Sequence, residues 1–494
     1  MNMAWGGSTR GILAAQAGDL TLQSNGRLVL AGQTNASGVI NASARDGIDN
    51  SGTTYAQRDL IATTSGTLTN MGVLAAQRNT TVNAGSVAST GTLGAGINDD
   101  GTIVSSGDLN VVASGALTAT GRNAAGANVT LQGASVNLAG SSTSANGSLG
   151  LTALSGDLNL SNATTTAGGS ITASNAGTLT NDNAALKSVG AQSITAGALS
   201  NRNDQIISGS RLTANIANAI VNQGGMLQSA VGLTARVGSL DNSAGHVTSL
   251  NTDGLNFTVS GLLNNGQSGT IGGNGGVFVQ AEQLINAGSM TAVQDLTTLA
   301  TQTLTNSGTL AANGNAAASA GATLDNSGGT INGEQLSIAT ANLVNQNGRI
   351  TQTGAGATTL AVTGTLDNAS GAIATNAQDL TLAPAALVND NGRITSSGTG
   401  TLSIATSSLS NHGGTIATNG ALVETVSGAV QNQGGTMQAG GELSVRAGGF
   451  DNTAGNLAAL GTSGLSLAIA GLLNNARNGA IGGNGDVTLN AAVL

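Results

Sequence analysis

Apolar and polar residues alternate along most of the chain, and short groups of Gly, Asn and Ser separate the alternating runs. A period of two is typical of β-strands, whose successive side chains point to opposite faces. In the run from Leu343 to Asn345, an inward Leu343 places Asn345 inward as well, where its amide can satisfy backbone groups at the turn. Gly348 is expected to supply the positive φ of that corner. The pattern therefore predicts short strands joined by sharp turns.

A phrase of the form Leu-x-Asn recurs at steps of 19 to 23 residues, after earlier copies at Asn50 and Asn70. A fixed period in this range is the sequence signature of a solenoid. We predict that the Asn of each phrase occupies one structural corner of its repeat. The predicted corner residues are Asn181, Asn201, Asn222, Asn242, Asn264, Asn286, Asn306, Asn326, Asn345, Asn368, Asn389, Asn411, Asn432, Asn452 and Asn474.

Each repeat is too short for two helices with their loops but long enough for two or three short strands. The predicted fold is all-β: a parallel β-helix in which each repeat of about 20–22 residues forms one coil and pairs with the next coil about 4.8 Å away. The chain then makes about 23 coils and a rod on the order of 110 Å long. A leucine-rich horseshoe has a similar period, but each repeat here has one or two Leu and too much Gly for helices.

The regularity of the repeat divides the chain into four predicted segments. Residues 1–88 are expected to form opening coils, and residues 89–104, rich in Gly and Asp, an irregular loop excursion. Residues 105–180 continue the coils without the Leu-x-Asn corner, and residues 181–494 form the regular repeats. A longer duplication lies within the last segment, because the phrase at Leu262 recurs at Leu472, 210 positions later.

The composition agrees with a narrow core. The chain has 77 Gly and 1 Pro in 494 residues, with 1% aromatic and 7% charged residues. Disorder is the competing interpretation of so much Gly, Ser and Asn, but the 39% hydrophobic content and its regular placement argue against it. With a net charge of −9, the chain is not expected to bind nucleic acid, because phosphate contacts need a basic face.

The repeated Leu-x-Asn phrases resemble the haemagglutinin repeats of filamentous haemagglutinin-like exoproteins of Gram-negative bacteria. The resemblance covers about residues 10–494 and includes the runs that begin at Ser106 and Leu131. That family contains adhesins and the effectors of contact-dependent growth inhibition. The resemblance implies a right-handed β-helix that is exported through an outer-membrane transporter of two-partner secretion. It also implies a secreted or cell-surface location and a receptor on a host or neighbouring bacterial cell.

The expected function is structural: the shaft of a filamentous adhesin that projects a distal binding or toxin module. The stick of a contact-dependent growth inhibition toxin is the alternative, and a β-helical polysaccharide lyase or hydrolase is less favoured. The first seven residues do not have the pattern of a signal peptide. No secretion or toxin domain is recognised, so the chain is expected to be an internal piece of a longer exported protein.

Acidic residues are the main candidates for chemistry. Four of them stand immediately before the corner Asn of their repeats and are predicted to face solvent, and three others form a local cluster. The four are Asp241, Asp325, Asp367 and Asp451, and the cluster is Asp99, Asp100 and Asp108. A cation-binding loop is the alternative for the cluster, and a solvated loop is favoured.

The two histidines do not form a metal site by spacing. His246 and His412 lie in separate repeats, each predicted in the turn after its Asn, with no Cys in the chain. The sequence therefore assigns no catalytic residue, no metal ligand and no cofactor.

Overall fold

The computed structural model describes residues 2–3 and 7–494, with side chains from Gly7 onward. Residues 1 and 4–6 lie outside the described residues. They belong to the predicted opening coils and to the first seven residues, which lack the pattern of a signal peptide. The described chain forms two compact units, Met1–Leu250 and Asn251–Leu494. Both units contain β-strands and turns without a helix among the described residues. The predicted all-β class is confirmed.

Each coil has three sides, as the strands Ile40–Ala44, Gly47–Asn50 and Thr53–Ala56 illustrate. Every side pairs in parallel with the same side of the next coil, 20 residues later, with Leu60 opposite Ile40 as one example. The first two sides belong to a bent sheet, here sheet A, and the third side forms sheet B. This is the pairing of a parallel β-helix, as the repeat period predicts.

In the first unit, many sheet A coils have two strands, and others have one long strand bent at a register shift. Its sheet A strands are Asn2–Met3, Gly7–Thr9, Leu20–Ser24, Arg27–Leu30, Ile40–Ala44, Gly47–Asn50, Leu60–Asn70, Thr80–Ser89, Leu109–Ala113, Leu117–Ala119, Val129–Gly133, Val136–Asn137, Leu149–Ala153, Leu158–Asn159, Ile171–Asn175, Thr178–Thr180, Gln192–Ala196, Ala198–Ser200, Leu212–Val221 and Leu233–Asp241. Its sheet B strands are Ile12–Ala15, Gln33–Ala36, Thr53–Ala56, Val73–Ala76, Thr92–Ala95, Arg122–Ala125, Ser142–Ala145, Thr164–Ala167, Ala185–Ser188, Gln205–Ser208, Met226–Ser229 and His246–Ser249.

The second unit repeats this arrangement. Its sheet A strands are Leu255–Val259, Leu262–Asn265, Val277–Asn286, Leu296–Asn306, Asn315–Asp325, Gln335–Val344, Thr359–Val362, Thr365–Asp367, Leu380–Leu382, Ala386–Val388, Thr401–Thr406, Ser408–Ser410, Ala421–Gln431, Leu443–Asp451, Leu465–Asn474 and Val487–Val493. Its sheet B strands are Thr270–Gly273, Ser289–Ala292, Thr309–Ala312, Thr330–Gly333, Arg349–Gln352, Ala372–Thr375, Arg393–Ser396, Thr415–Thr418, Thr436–Ala439, Asn456–Ala459 and Ala480–Gly483.

Aliphatic side chains fill the interior of each unit in columns that run from coil to coil. Leu304, Leu324 and Leu343 are successive members of one column in sheet A, and each is fully buried. Ile331 and Ile350 belong to the facing column in sheet B and are equally buried. Burying one such side chain stabilises the fold by roughly 1.5–3 kcal/mol. The alternation in the sequence therefore encodes the inside and outside of every coil.

The irregular excursion is placed later than the sequence suggests. Thr92–Ala95, predicted to leave the stack, is a sheet B strand paired with Val73–Ala76. Residues 96–108 are the part that leaves it, and Ile97 and Ile103 form an antiparallel bridge there. The glycines before Gly96 suggested an earlier departure, but Gly94 lies in the sheet. Its missing side chain leaves room for Ile97 of the excursion.

Candidate functional site

The corner asparagines of the second unit form one continuous ladder of hydrogen bonds. Each side chain donates from Nδ2 to Oδ1 of the Asn in the following coil at 2.7–2.8 Å. Every donor points toward the C-terminal end. The members, in order, are Asn265, Asn286, Asn306, Asn326, Asn345, Asn368, Asn389, Asn411, Asn432, Asn452 and Asn475.

The same amides also hold the backbone at the corners. Asn345 Nδ2 lies 3.3 Å from the carbonyl oxygens of Gly348 in its own coil and of Ala372 in the next. The backbone N–H of Asn345 donates to the carbonyl of Asp367 at 2.7 Å. Asn345 is fully buried, so these bonds replace water around groups that are costly to leave unpaired. One side chain thus fixes both the shape of a corner and its stacking on the next.

The ladder of the first unit is interrupted. Asn50 donates to Asn70 at 2.7 Å, and Asn70 donates to the hydroxyl of Ser89 at 3.0 Å. The equivalent positions in the following coils are Ala119, Leu138 and Leu160, by continuation of the strand registers. The ladder resumes at Asn181 and continues through Asn201 and Asn222 to Asn242. Buried Asn181 Oδ1 has no hydrogen-bond partner among the described residues, because aliphatic Leu160 precedes it in the column.

Two predicted corner residues lie outside the ladder. Asn264 and Asn474 are half-buried, and their neighbours Asn265 and Asn475 make the ladder bonds. The reason is the doubled Leu before each pair: Leu262 is 41% exposed, whereas Leu263 is fully buried. Alternation counted from Leu263 brings Asn265 inward. The other thirteen predicted residues are buried members of the ladder.

Corners of two lengths connect the ladder to sheet B. The short corner has two residues between the ladder Asn and the sheet B strand, as in Ser307 and Gly308. Most long corners have one further residue, which lies in the left-handed region. In the turn after Asn345, Gly348 was expected to supply the positive φ. The residue with positive φ there is Asn347, at 55°. A Cβ on Gly348 would lie 2.1 Å from the Asn326 carbonyl oxygen. Gly348 is therefore needed for the close approach of two coils.

The acids before the corner Asn are backbone caps. Asp325 Oδ1 accepts hydrogen bonds from the Ser327 N–H at 2.9 Å and from its hydroxyl at 2.5 Å. Asp451 makes the same contacts with Thr453. Burial opposes the effect, but the hydrogen bonds from Thr453 lower the pKa of Asp451 overall. These carboxylates therefore stabilise the turn that follows them.

His412 lies beside Ser410 and Asp390, a set of residues that also occurs in hydrolases. Ser410 Oγ is 2.7 Å from Nδ1 of His412, and Asp390 Oδ1 is 3.2 Å from the same nitrogen. In a catalytic triad the acid and the nucleophile contact opposite ring nitrogens. Burial raises the pKa of Asp390, but hydrogen bonds from Ser410 and His412 lower it overall. This arrangement ties two coils together at a corner. His246, in contrast, begins the strand His246–Ser249 instead of lying in the turn.

The predicted acidic cluster is divided between two roles. Asp100 accepts hydrogen bonds from the N–H and hydroxyl of Thr102, which lower the pKa of Asp100. Asp108 Oδ1 accepts hydrogen bonds from the backbone and side chain of Asn128, both at 3.0 Å. Within the described residues, no three His, Cys, Asp or Glu side chains are grouped as metal ligands.

The sequence analysis did not single out one buried glutamate, Glu424. Glu424 is 1% exposed, and neither carboxyl oxygen has a hydrogen-bond partner among the described residues. Its register neighbours in sheet A are Ile404 and Val445. Burial raises the pKa of Glu424 to about 8. The alternation contained the signal, since Leu422 and Val426 are both inward and Glu424 lies between them at a spacing of two.

Most of the chain matches the repeats of a known family. The haemagglutinin repeat family matches residues 153–224, 188–265, 248–308, 295–370, 353–405, 395–466 and 461–494. The chain belongs to the haemagglutinin repeat family. The matched haemagglutinin repeats contain the long Asn ladders of both units, which confirms the resemblance noted in the sequence.

One relative of this haemagglutinin-repeat chain is the tRNA nuclease CdiA-2 of Burkholderia pseudomallei strain 1026b. The two are 40% identical over 260 residues, which cover 46% of this chain and 8% of the relative. The chain thus spans a small part of the relative's length. No solved structure matches the chain. Throughout the described residues, no helix has the length and apolar character needed to cross a bilayer.

Proposed function

We propose that this chain is a section of the shaft of a filamentous, cell-surface exoprotein. The observation that carries the proposal is the asparagine ladder, which repeats one buried amide contact at each coil over most of the family-matched region. A structure made of identical contacts between neighbours can be lengthened by whole coils without altering the fold. The proposed role of such a chain is therefore to give the exoprotein its length.

The mechanism is resistance to bending and stretching. In each unit, backbone hydrogen bonds, aliphatic columns and corner amides all join one coil to the next, so separating two coils breaks all three together. Aligned amide hydrogen bonds also polarise one another in a buried column, which strengthens the series. A shaft of this kind holds a terminal module at a fixed distance from the cell surface.

The proposed partners follow from the family. Export would use an outer-membrane transporter of two-partner secretion, and the projected module would meet a receptor on a host or neighbouring bacterial cell. The location would be the outside of the bacterial cell. Membership of the haemagglutinin repeat family supports these assignments.

A toxin is the second candidate for the projected module. The supporting observation is the relative of 40% identity, which is a tRNA nuclease. This chain would then be the stick that carries a nuclease or another toxin toward a target cell. Sequencing the chain's genomic locus distinguishes the candidates: a downstream toxin domain with an immunity gene supports the stick, and a binding domain supports the adhesin.

The proposal assigns no catalysis to this chain, and the engagement of its acids in backbone bonds supports that view. Incubation with pectin and host glycans is expected to release no reducing ends or unsaturated sugars. Release that disappears in Asp99→Asn or Asp100→Asn would instead establish a polysaccharide-cleaving enzyme.

Display on cells tests the shaft directly. The chain would be placed between a haemagglutinin-type secretion domain and a terminal epitope tag, and the height of the tag above the outer membrane measured by electron cryotomography. Deleting residues 262–471 removes the 210-residue duplication and joins equivalent positions. The tag should remain displayed and lie lower by about 48 Å, since about ten coils of 4.8 Å are lost.

The matched control deletes residues 262–460, nearly the same length, but ends about half a coil out of register. That deletion should lower the amount of displayed tag, because inward and outward positions no longer meet across the junction. A tag height that is unchanged by the whole-coil deletion would refute the shaft.

A further inference from the structure

The excursion of residues 96–108 is anchored on the outer face of sheet B in the first unit. Ile97 is fully buried, and its side chain occupies the space where a Cβ on Gly94 would stand. Ala75, in the strand before, is also fully buried although it alternates with the inward-facing Leu74. The Gly96 N–H donates to the Arg78 carbonyl at 2.8 Å. The excursion is therefore a fixed wall and not a free loop.

A cavity of about 590 Å³ lies beside this wall. Its volume falls in the range of small-molecule sites, roughly 300–1,000 Å³. The outward positions of sheet B supply one side through Asn35 and its register partner Tyr55. Gln57 and Gln77, which directly follow their sheet B strands, extend that side. The excursion supplies the opposite side, including Asp99.

The lining combines one aromatic ring with several planar polar groups. Tyr55 is the only tyrosine of the chain and is half-buried at the cavity. Among the described residues, no protein group hydrogen-bonds the side-chain amides of Asn35, Gln57 or Gln77. Each amide offers both donors and an acceptor, and Asp99 offers acceptors. Burial, with the charges of Asp99 and Asp100, raises the pKa of Tyr55, in keeping with a phenol close to the carboxylates.

We propose that this cavity is a binding site for a neutral saccharide. The face of the Tyr55 ring would cover the apolar C–H surface of a sugar ring, and the amides of Gln57 and Gln77 would hydrogen-bond neighbouring hydroxyls. Asp99 would accept a further hydroxyl proton. The neighbouring hydroxyls of a neutral sugar need hydrogen-bond donors and acceptors side by side. The side-chain amides and Asp99 of the cavity provide both.

The lining fits two other ligand classes less well. Lys and Arg are absent from the residues that line the cavity, and Asp99 is present, so an anion would meet no positive charge. A peptide that adds a strand needs a free sheet edge, but the Tyr55 strand is paired on both sides, with Gln33–Ala36 and Val73–Ala76. The Tyr55 strand therefore offers the ligand its side chains alone.

Saturation-transfer NMR on the complete chain tests the site. The probes are lactose, N-acetyllactosamine, maltotriose and mannotriose, which are neutral sugars with neighbouring hydroxyl groups. At least one probe should receive saturation. Tyr55→Ala and Gln57→Ala should each weaken its binding about tenfold, and Asp99→Asn should weaken it less, because the amide keeps one acceptor.

Gln228→Ala is the matched control, because Gln228 has the place of Tyr55 in its own sheet B strand but lies away from the excursion. It should bind the probe as the unchanged chain does. Far-UV circular dichroism verifies that each variant is folded, and exposed Gln57 provides a test that does not disturb the core. The proposal is overturned if no probe receives saturation, or if folded Tyr55→Ala and Gln57→Ala both bind as tightly as the unchanged chain.

Discussion

At the scale of single residues, one buried amide carries the contact between neighbouring coils. Asn345 accepts a hydrogen bond from Asn326 and donates one to Asn368, both at 2.7 Å. Asn345→Ala would leave the Asn368 oxygen without this donor and the Asn326 amide without this acceptor. Each such loss in a buried site costs about 1–3 kcal/mol. We expect the free energy of unfolding, measured by urea titration, to fall by about 2–6 kcal/mol, the sum of the two losses.

The control for this change is Asn313→Ala, since Asn313 lies exposed at a corner of sheet B. Exposed substitutions of this kind usually change stability by less than about 0.5 kcal/mol. Equal effects of the two substitutions would show that the ladder adds nothing beyond local turn preference.

Glu424 makes stability depend on pH in an unusual direction. Its pKa in the folded chain is about 8, above the ordinary value of 4.5, so folding favours the protonated carboxyl. The stabilisation is complete below about pH 4.5 and is lost as pH rises to about 8, at roughly 1.4 kcal/mol per pH unit. The groups facing Glu424 from adjacent strands, Ile404 and Val445, do not titrate.

Urea titrations at pH 5 and pH 8 should therefore show lower stability at pH 8. In Glu424→Gln, which has no titrating group, this difference should shrink by several kcal/mol. The lowered pKa values of Asp390 and Asp451 affect stability only below pH 5, because those carboxylates are already ionised at pH 5. An equal pH dependence in Glu424→Gln would assign the effect to other groups.

At the scale of the corner, packing between coils decides where glycine is required. Gly348→Ala would place a Cβ 2.1 Å from the Asn326 carbonyl oxygen and 2.5 Å from Oδ1 of Asn345. The corner must shift and disturb the ladder, so we expect a loss of more than about 2 kcal/mol. In the control Gly449→Ala, the nearest atom is 3.7 Å away. Its melting temperature should be unchanged or slightly higher, since Ala reduces the freedom of the unfolded chain.

The gap in the first ladder gives a comparison of two similar substitutions. Leu160→Asn places an amide donor next to the unpaired Oδ1 of Asn181, whereas Leu138→Asn places one between Ala119 and Leu160. Both replace a buried leucine. The Leu160 variant should be more stable than the Leu138 variant by about 1–3 kcal/mol, because it satisfies a buried acceptor. Equal urea midpoints would mean that the new amide fails to join the ladder.

Sequence reasoning predicted the element correctly and some of its details wrongly. The period of two and the repeat length were sufficient for the coils, since burial is strictly alternating at Leu343 and Asn345. They failed at Asn264, because a doubled Leu offers two possible phases and only packing chooses between them. They failed also at Gly348. Glycine is needed there because the backbone of the preceding coil lies too close for a Cβ, and rules for local turns do not include contacts with another coil.

At the scale of the whole molecule, the repeat can change only in whole coils. Deleting residues 315–334 removes one coil of the second unit and joins the chain at equivalent positions, since Asn315 pairs with Gln335. Asn306 would then meet Asn345, and Leu310 would meet Ile350. Far-UV circular dichroism and protease resistance should remain those of the unchanged chain.

Deleting residues 315–324 removes half as much chain but exchanges the sides of the coil at the junction. We expect faster proteolysis there and a lower melting temperature, because buried and exposed positions no longer align. Should the shorter deletion be tolerated better than the longer one, the stack would not depend on register in the way that its pairing indicates.

The ladder has one direction, so the two faces of a coil differ chemically at the corner. Each amide donates toward the next coil along the chain and receives from the one before. A stack that grows from its N-terminal coil therefore presents an N–H donor at its newest face, and the coil that arrives must offer a carbonyl oxygen at that height. A single amide per coil thus gives the stack a polarity, because its two ends offer opposite hydrogen-bonding groups at the corner.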